Sequence, residues 1–258
     1  MISFLDAAIL GLVQGLAEFL PISSTGHLIL ASKILGLSTS DFLSSFIIAI
    51  QVGSILAVLF LYGRDLFNLE LTKKVLAAFI PTAVIGFILY KIIKHFFLTS
   101  DLVVAAALIV GGLVMIGLEL RHRKKVVEGR GLNDLSYREA VLVGLAQSLA
   151  MIPGISRSAA TIFGGLSLGL SRSAIVEFSF LLAIPTMIAA TGYDLFKSGA
   201  SFSGGQFEVM AVGTVVSFLV SIVAIRWLLN FIRQHDFIGF GIYRVVVGLL
   251  WLIFFIKL

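Results

Sequence analysis

The chain has 258 residues, 59% of them hydrophobic and 13% charged, with a formal net charge of +5 and a mean hydropathy of +1.09. A soluble domain averages about 45–50% apolar and about 25% charged, so this composition excludes an ordinary soluble fold and reads as an all-α polytopic membrane protein. The absence of cysteine excludes a disulfide framework and a thiol nucleophile. The positive balance sits in short loops between apolar runs, so membrane lipids, not nucleic acid, are the expected surroundings.

Ser3 and Asp6 read as a capping box that opens a first helix over 4–20. No basic stretch precedes its apolar run, so no cleavable signal is expected. Gln14 and Glu18 are four apart and share one helical face. Pro21 should end or kink this helix, and Ser23, Ser24 and Thr25 stand where a second, over 24–36, begins. A helix start offers unpaired amide hydrogens and the positive dipole end. His27 follows Ser24 by three and lies on the same face, which outlines an anion site with an acid/base beside it. Three long apolar segments come next, at 43–62, 73–93 and 101–120.

The same order then recurs. Ser136 and Glu139 repeat the capping signal at an offset of 133 residues. At that offset Ala7, Gly11, Leu12 and Gln14 match Ala140, Gly144, Leu145 and Gln147, and Leu16, Ala17, Ile22 and Ser23 match Leu149, Ala150, Ile155 and Ser156. The chain therefore reads as two repeats, 1–122 and 136–258, joined by a basic linker at 123–135. The second repeat has short segments at 137–152 and 157–170 hinged at Pro153, then longer ones at 174–196, 207–227 and 237–257. The short pairs, 4–36 and 137–170, read as re-entrant hairpins, which leaves three transmembrane helices per repeat. An odd number inverts the second repeat and lets the broken hairpins meet near the midplane. Arg64, Lys73 and Lys74, then Arg121–Arg138, then Arg226 and Arg233 fall on one side, hence cytoplasmic. Ten full crossings would leave these loops on the same side, so charge leaves re-entry open.

Glu18 lies in an apolar run with no basic neighbour. An ionisable group at membrane depth costs ~2.5–3.5 kcal/mol on insertion scales and is functional by default. Gln14 could equally be interhelical glue, as its mate Gln147 suggests. Three hydroxyls in a row exceed what one cap needs. Arg157, in PGISRSAAT at 153–161, is a planar cation at a helix start and suits a phosphate. Around it Ser156, Ser158 and Thr161 join Gln14, Ser23 and Thr25 as candidate phosphate-binding groups. Arg172 reads as a snorkelling arginine between segments, and Arg244, inside the last span, has no assigned role. HExxH, GxSxG and Walker patterns are absent, which argues against zinc proteases, hydrolase elbows and NTPases.

QGLAE at 14–18 with PISSTGH at 21–27, together with PGISRSAAT, resembles the undecaprenyl-diphosphate phosphatase family of bacitracin-resistance type. The resemblance spans the whole chain and departs at Gln14, where many members carry glutamate. It implies hydrolysis of a polyprenyl diphosphate, undecaprenyl diphosphate, to the monophosphate. That would recycle the lipid carrier of cell-wall synthesis in the plasma membrane, with the site toward the outer or periplasmic side. The catalytic set it implies is Ser24, His27, Glu18 and Arg157. Ser24 would attack the terminal phosphorus with His27 as base, direct attack by His27 being the other reading, and Arg157 would stabilise the transferring group. Glu18 would orient His27 or hold a divalent cation, Mg or Ca; no organic cofactor is expected, and a homodimer is an open expectation. A lipid-carrier flippase or transporter is the alternative, because inverted repeats with broken helices also mark transporters.

Overall fold

Two reciprocal caps start the two halves. The Ser3 hydroxyl accepts from the Asp6 amide while the Asp6 carboxylate accepts from Ser3, and Ser136 and Glu139 repeat the arrangement. Helix α1 (Phe4–Ala17) stops four residues before Pro21, because a proline ring clashes with the carbonyl four residues back, here that of Ala17. Helix α2 (Ser24–Ile34) follows the hinge. In the second half α6 (Tyr137–Gln147) is shorter than the expected 137–152, and a 3₁₀ turn at Ser148–Met151 carries the chain to Pro153. Helix α7 (Arg157–Ser167) then mirrors α2.

The computed structural model describes residues 2–92, 101–122, 129–198 and 203–255. Arg123, Lys124 and Lys125, within the basic stretch assigned to the cytoplasmic side, lie outside them. Among the described residues six helices are long and apolar enough to cross a membrane. They are α3 (Asp41–Tyr62), α4 (Leu69–Ile92), α5 (Asp101–His122), α8 (Arg172–Ser198), α9 (Gly204–Ile232) and α10 (Ile238–Phe255). No strand occurs among the described residues; Arg130 and Leu170 form an isolated bridge. The protein is a multi-pass, all-α membrane protein.

Helix α1 packs on α9 and α6 on α4, α3 lies against both α8 and α9, and α5 pairs with α10. Close approach explains the matched glycines. A Cβ at Gly11 would stand 2.4 Å from the Gly213 carbonyl of α9, and one at Gly144 would stand 1.9 Å from the Ala78 carbonyl of α4. The two mates thus serve the same contact on different partners. Phe19, fully buried at the end of the first short helix, meets Phe180 of α8 edge-on at 5.3 Å.

Four basic residues sit differently from what their sequence positions suggest. Arg172 is no snorkelling side chain: it pairs with Glu119 of α5, whose carboxylate is fully buried and needs a cation. Lys73 and Lys74 lie in the second turn of α4, and Arg226 lies in the last two turns of α9, not in loops.

Candidate active site

Both hinge loops end in the same unusual backbone. Ser23 and Ser156 have φ of 75° and 76°, the positive non-glycine values among the described residues. For an L residue this left-handed geometry costs roughly 1–2 kcal/mol, and such strain persists where the surroundings impose it. Both serines are N-caps: Ser23 Oγ accepts from the Gly26 amide and Ser156 Oγ from the Ala159 amide. Ser24, Thr25, Arg157 and Ser158 open their helices, so they have no helical carbonyl four residues back. Their amide hydrogens are available to an anion.

Glu18 joins the two hairpins. Its Oε2 accepts from Ser24 Oγ at 2.7 Å and from Gln14 Nε2 at 2.9 Å, and its Oε1 faces Arg157 Nη2 at 3.2 Å. Arg157 also donates to the Ser179 carbonyl at 2.9 Å and lies over the Phe19 ring, 5.7 Å from its centroid. Ser158 Oγ donates to the Phe19 carbonyl at 2.7 Å. A planar guanidinium, a carboxylate and a primary hydroxyl therefore stand in one chain of hydrogen bonds. The carboxylate is placed to take the serine's proton, and the guanidinium is placed to take negative charge.

A cavity of about 500 Å³ opens onto this cluster. Its walls hold the polar Glu18, Ser23, Ser24, Thr25, Ser156 and Arg157 together with Phe79, Phe87, Met151, Met187 and Tyr193. That combination suits a ligand with a charged head and a hydrocarbon tail. Gln51, Thr82, Gln147 and Thr186 also reach the wall. Gln147 Nε2 donates to Thr82 and Thr186, much as its mate Gln14 donates to Ser54, which meets Ser217 and Ser221.

Not every residue expected from sequence reaches the cavity. Ser24 does not bond His27. The His27 Nδ1 turns back to the Ser23 carbonyl at 2.8 Å, and Nε2 meets the Tyr243 hydroxyl at 2.8 Å, with the two rings stacked. The i, i+3 spacing puts both residues on α2, but the cap carbonyl four residues back takes the His27 ring. Ser158 and Thr161 are fully buried and bond within the protein, Thr161 to the Arg157 carbonyl and to Gln147, so their hydroxyls do not face the cavity. Gln14 is fully buried behind Glu18. Gln51, an amide inside a charge-free run, is absent from the sequence expectations, and Arg244, a charge inside a span, has no role in them, although polarity at that depth is itself the signal.

The expected cation ligand does not fit as arranged. Both Glu18 oxygens already accept donors, and a guanidinium stands 3.2 Å from one of them. Among the described residues no group of three or more His, Cys, Asp or Glu is placed to hold a metal. The Glu18 carboxylate is therefore assigned to Ser24, Gln14 and Arg157, not to a metal.

Fold and site together define a multi-pass membrane protein with a pocket built from two helix starts and a serine–glutamate–arginine chain. The family model for bacitracin resistance protein BacA matches residues 7–250, and the chain belongs to that family. It is 49% identical over 252 residues to an undecaprenyl-diphosphatase of Aquifex aeolicus, covering 97% of this chain and 98% of the relative. A Sulfurihydrogenibium relative of the same name is 50% identical over 251 residues, covering 97% and 99%. One from Wolinella succinogenes is 49% identical over 249 residues, covering 96% of each.

Proposed function

We propose that this chain is an undecaprenyl-diphosphate phosphatase, converting undecaprenyl diphosphate to undecaprenyl phosphate and inorganic phosphate and so recycling a lipid carrier for cell-wall synthesis. The substrate rests on relatives at about half identity over nearly the full length. The chemistry rests on one observation, the Glu18 carboxylate shared by Ser24 and Arg157. Ser24 Oγ forms a bond to the terminal phosphorus as the bridging P–O bond breaks and undecaprenyl phosphate leaves. The hydroxyl proton passes to Glu18, and water then releases phosphate from Ser24. Arg157 and the free amides of α2 and α7 hold the transferring oxygens. His27 enters through the Ser23 carbonyl, fixing the cap from which Ser24 projects.

The topology that goes with this reading is a pair of inverted repeats, each a re-entrant hairpin and three spans, with the site open toward the outer face. Six apolar helices and the exchanged pairings, α1 on α9 and α6 on α4, support it. The test is phosphate release from a C55 diphosphate by purified protein in detergent, with and without EDTA. One phosphate per substrate, lost in Ser24→Ala, is expected; no release by the wild type overturns the reading. Insensitivity to EDTA would agree with Glu18 lacking a metal. A phosphohistidine trapped in Ser24→Ala would give the nucleophile's role to His27.

A further inference from the structure

Arg244 of α10 is fully buried, and among the described residues no carboxylate pairs with it. Backbone carbonyls surround it instead. Nη1 donates to Pro21 at 3.2 Å and Ile155 at 2.8 Å, and Nη2 donates to Gly154 at 2.8 Å and Ala107 at 3.1 Å. Pro21 lies in the first hinge loop, two residues before the Ser23 cap, while Gly154 and Ile155 lie in the second, just before the Ser156 cap. One guanidinium therefore holds the two loops that launch Ser24 and Arg157. Their carbonyl oxygens carry like partial charge and would repel at this range; a planar fork with parallel donors lets them approach.

The facing helix is cut away to admit it. A Cβ at Gly111 of α5 would stand 2.2 Å from Arg244 Nη2. Gly111 and Arg244 are themselves 133 residues apart, the offset that pairs Ser3 with Ser136. Where the two halves face each other, one supplies the arginine and the other the space for it. In a trans peptide the carbonyl and the next amide point opposite ways. Holding the Ile155 carbonyl on Arg244 thus turns the Ser156 amide to the other side of the strained cap, and Ser156 lines the cavity.

We propose that Arg244 is a positioning residue that clamps the two hinge loops together and so sets the spacing of Ser24 and Arg157 across Glu18. It rests on the phosphatase reading for its catalytic consequence, not for the clamp itself. Arg244 touches no reacting atom, so its loss should act on turnover and leave substrate binding largely in place. Misplacement of reacting groups by about 1 Å costs on the order of 10²-fold.

The test compares Arg244→Met, Gly111→Ala and the double variant, with kcat per folded molecule measured well below each variant's Tm. Gly111→Ala removes no charge, and the three atoms its methyl would meet first all belong to the guanidinium, which covers the case in which Arg244→Met fails to fold. Each single change should lower kcat about 10²-fold with KM little changed. The double variant should be no worse than Arg244→Met, since the added methyl then has nothing to displace. Hydrogen exchange supplies a readout without substrate: the Ile22 and Ile155 amides, bonded to Leu20 and Ile152 within the loops, should exchange faster together in both single variants. Wild-type kcat in either single variant, or wild-type exchange at both loops, would overturn the clamp. A wild-type protein that releases no phosphate would instead count against the phosphatase reading, and exchange would still decide the clamp.

Discussion

Glu18 takes Ser24 and Gln14 on one oxygen and faces Arg157, 139 positions along the chain, at 3.2 Å on the other. Glu18→Gln removes the proton acceptor and should lower kcat by at least ~10²-fold. Gln14→Glu should be much milder, because Gln14 stands behind Glu18 and off the cavity wall. Phosphate-release kinetics of the two purified variants rank them, and equal losses would contradict this order. Arg157→Lys keeps the charge but loses the planar fork that reaches both Glu18 and Ser179, so it should stay badly impaired, with kcat falling more than KM rises. The misplacement of His27 has a local cause. Spacing identifies a shared face, but it does not say which of two reachable partners a flexible ring will choose, and the Ser23 carbonyl and Tyr243 hydroxyl take both nitrogens.

At the scale of elements, the caps and hinges were legible because their chemistry is local. Ser3–Asp6 and Ser136–Glu139 are spacing rules, and Pro21 stops a helix whatever surrounds it. Pairings between distant helices were not legible, and the Glu119–Arg172 contact shows why: each partner looks like a stray charge until the fold brings the end of α5 to the start of α8. The Arg130 guanidinium, followed by the Ser136 backbone, holds the Glu139 carboxyl well below the usual carboxylate range, at about 2. A depressed carboxylate stabilises above its unfolded pKa and loses that contribution as pH falls through the folded one. The start of α6 should therefore loosen between about pH 4.5 and about 2, the unperturbed and folded values. Exchange at the Glu139 amide, held by Ser136 Oγ, would report it, and unchanged protection down to the lower value would refute it. Glycine gives a second test. Gly144→Ala drives a methyl into the Ala78 carbonyl and should lower Tm, an overpacking cost of about 1–3 kcal/mol. Gly117→Ala meets open space in α5 and should be neutral or stabilising by about 0.5–1 kcal/mol. Thermal melts in one detergent compare the pair, and equal shifts would contradict the packing of α6 on α4.

Over the whole molecule, the duplication supplies a matched frame and the chemistry departs from it. Ser23 and Ser156 keep the same strained cap, and Gln14 and Gln147 keep the same kind of hydroxyl network. At the 133-residue offset, however, Ser24 corresponds to Arg157, Glu18 to Met151 and Gly111 to Arg244. A site built from two matched sequence segments needs unlike groups on its two sides if one is to attack and the other to stabilise. The internal match shows in sequence through the caps Ser3/Ser136 and Ser23/Ser156 and through Gly11/Gly144. The division of labour does not, because mates that differ leave no match to find. The central claim is that the two hairpins converge so that positions 24 and 157 share one carboxylate. With no native cysteine to interfere, the direct measurement is cross-linking of a Ser24→Cys/Arg157→Cys variant in membranes by a short bifunctional thiol reagent, after cleavage of the chain between the repeats. The two halves should remain joined in high yield. Halves that separate, although each position takes up the reagent singly, would contradict the account.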